Sequence, residues 1–134
     1  VITDLVLGLK MFDIFSAYDQ YIRKKYKAEP GYITMNLPAL LDALNSVGIT
    51  NPIICSSINK AGFRMSGGKE IYEKYLKEKK FRPVAMQVLA AGALSPKEAV
   101  EYLGNFQSIE SVLFGASSKT HIRETKDLIE STLR

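Results

Sequence analysis

PVAMQVLAAGALSPKEAVEYLGN, residues 83–105, decides how the rest of the chain is read. Pro83 to Leu89 is an almost unbroken apolar run, the pattern of a strand covered on both faces. Ala90-Ala91-Gly92-Ala93 is a turn of small residues. Ser95-Pro96-Lys97-Glu98 then has the form of a capping box, with proline at the first helical position. Ala99, Val100 and Leu103 recur on one helical face, and Gly104-Asn105 stops the helix. A strand, a short turn and a helix follow one another without a linker.

The same rhythm extends in both directions. Downstream, Ser111 to Phe114 reads as a strand ending at Gly115, and Ile122, Leu128, Ile129 and Leu133 mark the stripe of a final helix. Upstream, Pro52 to Ile58 is an apolar strand. A glycine-rich loop leads from it to a helix marked by Ile71, Tyr72, Tyr75 and Leu76 and closed by the charged Lys77 to Lys80. Before that, the strand Tyr32 to Met35 precedes a helix opened by Leu37-Pro38. Its stripe is Leu37, Leu40, Leu41, Leu44 and Val47, with Gly48 as its stop. At the start, Ile2 to Leu9 is apolar apart from Thr3 and Asp4 and reads as a strand. Ile14, Tyr18, Ile22 and Tyr26, four residues apart, predict a helix over Phe12 to Lys27. Five consecutive βα units require a parallel sheet with right-handed crossovers.

Two architectures use this pattern. One is a partial TIM (β/α)8 barrel, with this chain supplying strands four to eight; a complete barrel takes roughly 250 residues. The other is a five-stranded doubly wound open sheet, complete at 134 residues, which would be a non-catalytic interaction domain acting by protein contact. Residues 1–134 are therefore a single α/β domain or a fragment of a larger barrel. A partial barrel leaves strand edges unpaired, so it predicts a homo-oligomer or a missing N-terminal barrel half as partner.

Composition narrows the function classes. Hydrophobic residues make up 46% and charged residues 24%, as in ordinary globular domains. No apolar run approaches the ~20 residues that span a bilayer, and no signal-peptide pattern is present, so the expectation is a cytoplasmic protein with no membrane partner. The net charge is +4. Its densest cluster, Arg23-Lys24-Lys25 with Lys27, lies at a helix end, where cations complement the macrodipole. No basic stripe with interleaved aromatics points to nucleic acid. The single cysteine, Cys55, excludes an internal disulfide framework, and with one histidine, His121, no spacing supplies a zinc site. No metal is expected.

Candidate chemistry collects at the C-terminal ends of the strands, where ligands bind in both architectures. Gly115-Ala116-Ser117-Ser118 precedes a helix N-terminus, where free N–H groups and the helix dipole favour an anion. Gly92 holds the same relative place one unit earlier. In barrels the loops after the last two strands commonly form a phosphate site, so a phosphorylated small molecule or a dinucleotide is the expected ligand. Asn59, Lys60 and Arg64 follow another strand end and would add polarity and charge to the same pocket. Gly62-Phe63-Arg64-Met65-Ser66-Gly67-Gly68-Lys69 does not have Walker spacing: Phe63 stands where a glycine is needed and Glu70 where a hydroxyl is needed. Lys60 is a candidate Schiff-base nucleophile. Cys55 is read as a small buried hydrophobe.

From Tyr32 to the C-terminus, the order of features resembles the second half of an aldo-keto reductase barrel. The strand ending in Asn36 resembles that family's serine-asparagine strand end beside the nicotinamide. VAMQVLAAGAL, 84–94, resembles its loop around the cofactor pyrophosphate, and SVLFGASSKTHIRET, 111–125, its last strand and adenosine-phosphate helix. The resemblance implies NADP as a possible cofactor, contacted by Asn36, Gly92, Gly115, Ser117, Ser118 and Arg123. Met35 replaces the usual serine, and Leu9 stands where the catalytic histidine would be. The family's tyrosine, lysine and aspartate come from strands this chain does not contain, so the resemblance implies no reductase activity from this chain alone.

Overall fold

A computed structural model describes residues 2–133. It is an α/β structure built on four parallel strands: β1 (Gly31–Thr34), β2 (Ile53–Ser57), β3 (Arg82–Met86) and β4 (Ser111–Val112). The helices are α1 (Ile2–Gly8), α2 (Asp13–Tyr26), α3 (Leu37–Ser46), α4 (Lys69–Glu78), α5 (Pro96–Leu103) and α6 (Lys119–Thr132). The strands lie side by side in chain order, β1-β2-β3-β4, all parallel. A doubly wound sheet reverses its strand order at a switch point; the order here runs straight through.

The expected first strand is a correction. Ile2 to Leu9 is not a strand: Ile2–Gly8 is α1, so among the described residues there are four strands and not five. A short apolar run fits either a strand or a turn of helix by composition. Asp4 decides it. Its carboxylate bonds the Thr34 hydroxyl and accepts from the Met35 N–H, which anchors α1 beside the end of β1. On α2, Tyr18 Oη reaches the carbonyl of Gly31 at 3.5 Å. The Gly31 carbonyl at the start of β1 and the Met35 N–H just past its end thus bond side chains of the opening helices.

Layering follows from strand alternation. Tyr32, Thr34, Ile54, Ser56, Pro83 and Ala85 point to one face and are buried, under Phe15, the α3 leucines, Tyr72 and Leu103. On the opposite face Ile33 is 48% exposed, and Ile53, Cys55, Val84 and Met86 are half-buried. The core therefore lies between the sheet and the helices, and the other sheet face is open among the described residues. The best covered helix is α3, whose Leu37, Leu40, Leu41 and Leu44 are fully buried. On α2 the buried contact is Phe15, while Ile14, Tyr18 and Tyr26 of the expected stripe stay exposed. The last helix, α6, lies against α5 and buries Thr125, while Ile122 is exposed.

The caps agree with the sequence. Ser95 and Glu98 close a reciprocal capping box on α5, with Pro96 in the first turn. Ser118 caps α6 by accepting from the His121 N–H at 3.2 Å.

Candidate functional site

The turn after β3 departs from ordinary backbone geometry. Along β3 the residues alternate, with Pro83 and Ala85 buried and Val84 and Met86 half-buried. Continued alternation would bury Gln87. Gln87 instead takes φ 54°, in the left-handed region, and stays half-buried, while Val88 turns into the core at 2% exposure. Ala90 (φ 47°) and Ala91 (φ 57°) are also left-handed, and Gly92 follows at φ 90°. Only glycine adopts such angles without steric cost. Three non-glycine residues held this way in one short turn make a locally strained segment, and such strain clusters at ligand sites.

This turn forms one wall of a cleft of about 700 Å³. Gln87, Leu89, Ala91 and Gly92 come from β3 and its turn, Leu113, Phe114 and Gly115 from the end of β4, and Phe63 and Arg64 from the loop after β2. The volume lies in the range of small-molecule sites. Its lining is mainly apolar, and its charged side chain is Arg64, whose guanidinium carbon lies 5.2 Å from the centre of the Phe63 ring. Asn59 sets the position of that loop. Fully buried, it donates from Nδ2 to the carbonyl of Phe63 at 2.9 Å and accepts the Phe63 N–H on Oδ1 at 2.8 Å. A second fully buried side chain, Ser57 at the end of β2, donates to Oε1 of Gln87 at 2.5 Å, with Met35 Sδ 3.3 Å away.

The candidates from the sequence separate into those inside the cleft and those outside it. Gly92, Gly115 and Arg64 line it together. Ser118 is the α6 cap, and Ser117 Oγ lies 3.4 Å from His121 Nδ1, both just after Gly115 but not in the lining. Arg123 lies further along α6, in a shallow depression with Lys119, Ile122, Lys126 and Asp127. Asn36 sits at the end of β1, two strands away from β3, and caps α3 by accepting from the Ala39 N–H at 3.3 Å. Lys60 is exposed and lies 3.8 Å from Glu98. The Glu98 carboxyl is held below the usual range, first by hydrogen bonds from Ser95 and then by Lys60. An exposed lysine facing a carboxylate lacks the desolvation that makes an amine nucleophilic. Cys55 is half-buried on the open face, and burial pushes its thiol pKa up, away from the reactive thiolate.

Sequence reasoning missed Gln87, Phe63 and Phe114. For Gln87 a signal exists: it is the one polar side chain in the run from Pro83 to Leu89. Phe63 and Phe114 carry none, because an aromatic residue at a strand end has the same composition whether it faces core or cleft.

No protein-family model, curated protein or solved structure matches the chain.

Proposed function

We propose that this chain is the closing part of a (β/α)8-type barrel enzyme that holds a phosphorylated small molecule or a dinucleotide at the ends of its last two strands. The observation that carries the reading is the convergence of Arg64, Gly92 and Gly115 on one apolar cleft at the strand C-termini. Gly115 lets an anion approach the backbone closely, the turn at Gly92 shapes the facing wall with its own N–H donated to the carbonyl of Leu89 at 2.9 Å, and Arg64 supplies the counter-charge. Phe63, Leu113 and Phe114 offer surface for the body of the ligand. The chain-order sheet with its helices on one face supports the barrel part of the reading.

The same lining argues for binding without turnover by this chain alone. A guanidinium stays charged throughout the physiological range and does not exchange protons with a substrate. Groups for acid–base or nucleophilic steps would come from a partner segment facing the open side of the sheet.

Titration with inorganic phosphate, followed by backbone amide NMR, tests the reading. The expected result is shifts centred on the Gly115 amide and on the cleft-lining residues around it, with affinity reduced ~10-fold or more in Arg64→Gln, the scale of a lost charge-assisted hydrogen bond. Shifts confined to other parts of the chain, or an Arg64→Gln variant that binds phosphate as the parent does, would overturn it.

A further inference from the structure

Gln87 occupies an unusual position for a polar side chain. Unbroken alternation along β3 would bury its carboxamide against the helices. The left-handed step at φ 54° reverses the alternation, sending Val88 into the core and the Gln87 side chain into the cleft. A non-glycine residue in this region costs roughly 1–2 kcal/mol, and Ala90 and Ala91 repeat the feature within the same turn.

The carboxamide is also oriented. Ser57, with no exposed surface, donates its single hydroxyl proton to Gln87 Oε1. With its oxygen engaged there, the Gln87 amide nitrogen keeps two N–H donors, and among the described residues no acceptor bonds them. The cleft therefore contains two distinct polar elements, the cationic Arg64 and a neutral, directed pair of donors at Gln87. Between them the wall is aromatic and aliphatic.

We infer that Gln87 is the specificity-determining contact of this cleft, recognising a carbonyl or amide oxygen on the unphosphorylated body of the ligand. This rests on the phosphate reading above and adds the chemistry of the rest of the molecule. The ligand class is an organic phosphate with a flat, largely apolar body that carries a hydrogen-bond acceptor. A ligand without that acceptor leaves the Gln87 N–H groups desolvated and unpaired, and a site built to hydrogen-bond discriminates most strongly against such an analogue.

The test uses the full chain and four probes: inorganic phosphate, phenyl phosphate, and the 3- and 4-acetylphenyl phosphates. The acetyl esters keep the ring and phosphate and add only a carbonyl acceptor. Calorimetric titration of the parent should show at least one acetyl ester binding ~5–10-fold tighter than phenyl phosphate, the scale of one neutral hydrogen bond. Gln87→Leu should abolish that preference while leaving the affinity for inorganic phosphate unchanged. Ser57→Ala, which frees the carboxamide to rotate, should reduce it, and Gln87→Asn, which keeps the amide on a shorter arm, serves if the leucine variant does not fold. A parent that binds all three esters alike, or a Gln87 variant that keeps the preference, overturns the inference while phosphate binding stands. Failure of all four probes to bind the parent overturns both readings.

Discussion

Ala91 shows the cost of the cleft most directly. It is exposed, so its methyl contributes no packing, yet it holds φ 57° in the left-handed region. Ala91→Gly removes the steric penalty and loses only part of the gain to the greater entropy of unfolded glycine. The expected result is a stabilisation of about 0.5–1 kcal/mol, seen as a higher urea midpoint with an unchanged slope. A destabilised variant would mean that the turn is not held as described. Gln87 carries the same kind of backbone cost, but there the side chain is engaged by Ser57, so substitution exchanges strain for a lost contact.

At the scale of elements, the two faces of the sheet predict different tolerances. Leu40 on α3 is fully buried, whereas Ile33 on β1 is 48% exposed on the open face. Leu40→Ala should cost about 2–5 kcal/mol through lost burial and the cavity left behind, and Ile33→Ala less than about 1 kcal/mol. Chemical denaturation of the two variants side by side checks the contrast. Comparable losses would show that something covers the open face in solution. The strands β2 and β3 and the capping box at Ser95 were legible in the sequence because their signals are local: apolar runs bounded by turns, and a hydroxyl three residues before a glutamate. Ile2–Gly8 was not, because a short apolar run has the same composition as a strand or a helix, and the Asp4 bonds to Thr34 and Met35 that anchor it span some thirty residues of chain. The cleft was half legible for the same reason. Gly92 and Gly115 announce themselves as turn residues, but Arg64 and Gln87 join them only once β2, β3 and β4 lie side by side. Asn36 and Arg123 carried the expected residue types, and the fold places them outside the cleft.

Across the whole molecule, buried and half-buried tyrosines tie the layers together and link stability to alkaline pH. Tyr72 donates to the carbonyl of Met35 at 2.8 Å and accepts the Leu37 N–H at 3.0 Å, joining α4 to the β1–α3 turn. Tyr32 packs edge-on against Phe15 and Tyr18 of α2, and Tyr102 of α5 donates to Glu73 of α4 at 3.0 Å. Burial raises the pKa of all three phenols, and for Tyr32 and Tyr102 a neighbouring carboxylate raises it further. Above the ordinary phenol value near 10, the unfolded chain releases these protons and the folded chain retains them. Stability is therefore fully present below that pH and falls as pH rises. Absorbance of tyrosinate at 295 nm should show a late phase that coincides with loss of helical circular dichroism. Complete ionisation of every tyrosine with the helices intact would contradict the burial described here.

The two edges of the sheet differ in a way that gives the molecule a direction. At the start of β1 the Gly31 carbonyl, and just past its end the Met35 N–H, are held by Tyr18 and Asp4, much as a selvedge finishes the margin of a cloth. Among the described residues β4 is bonded on one side, by β3, and Leu113 beside it is 57% exposed. A further strand would meet these side-chain contacts at the β1 edge, and none such is present at β4 among the described residues. The end of β4 also forms a wall of the cleft, so a segment that extended the sheet at this edge would lie beside the cleft.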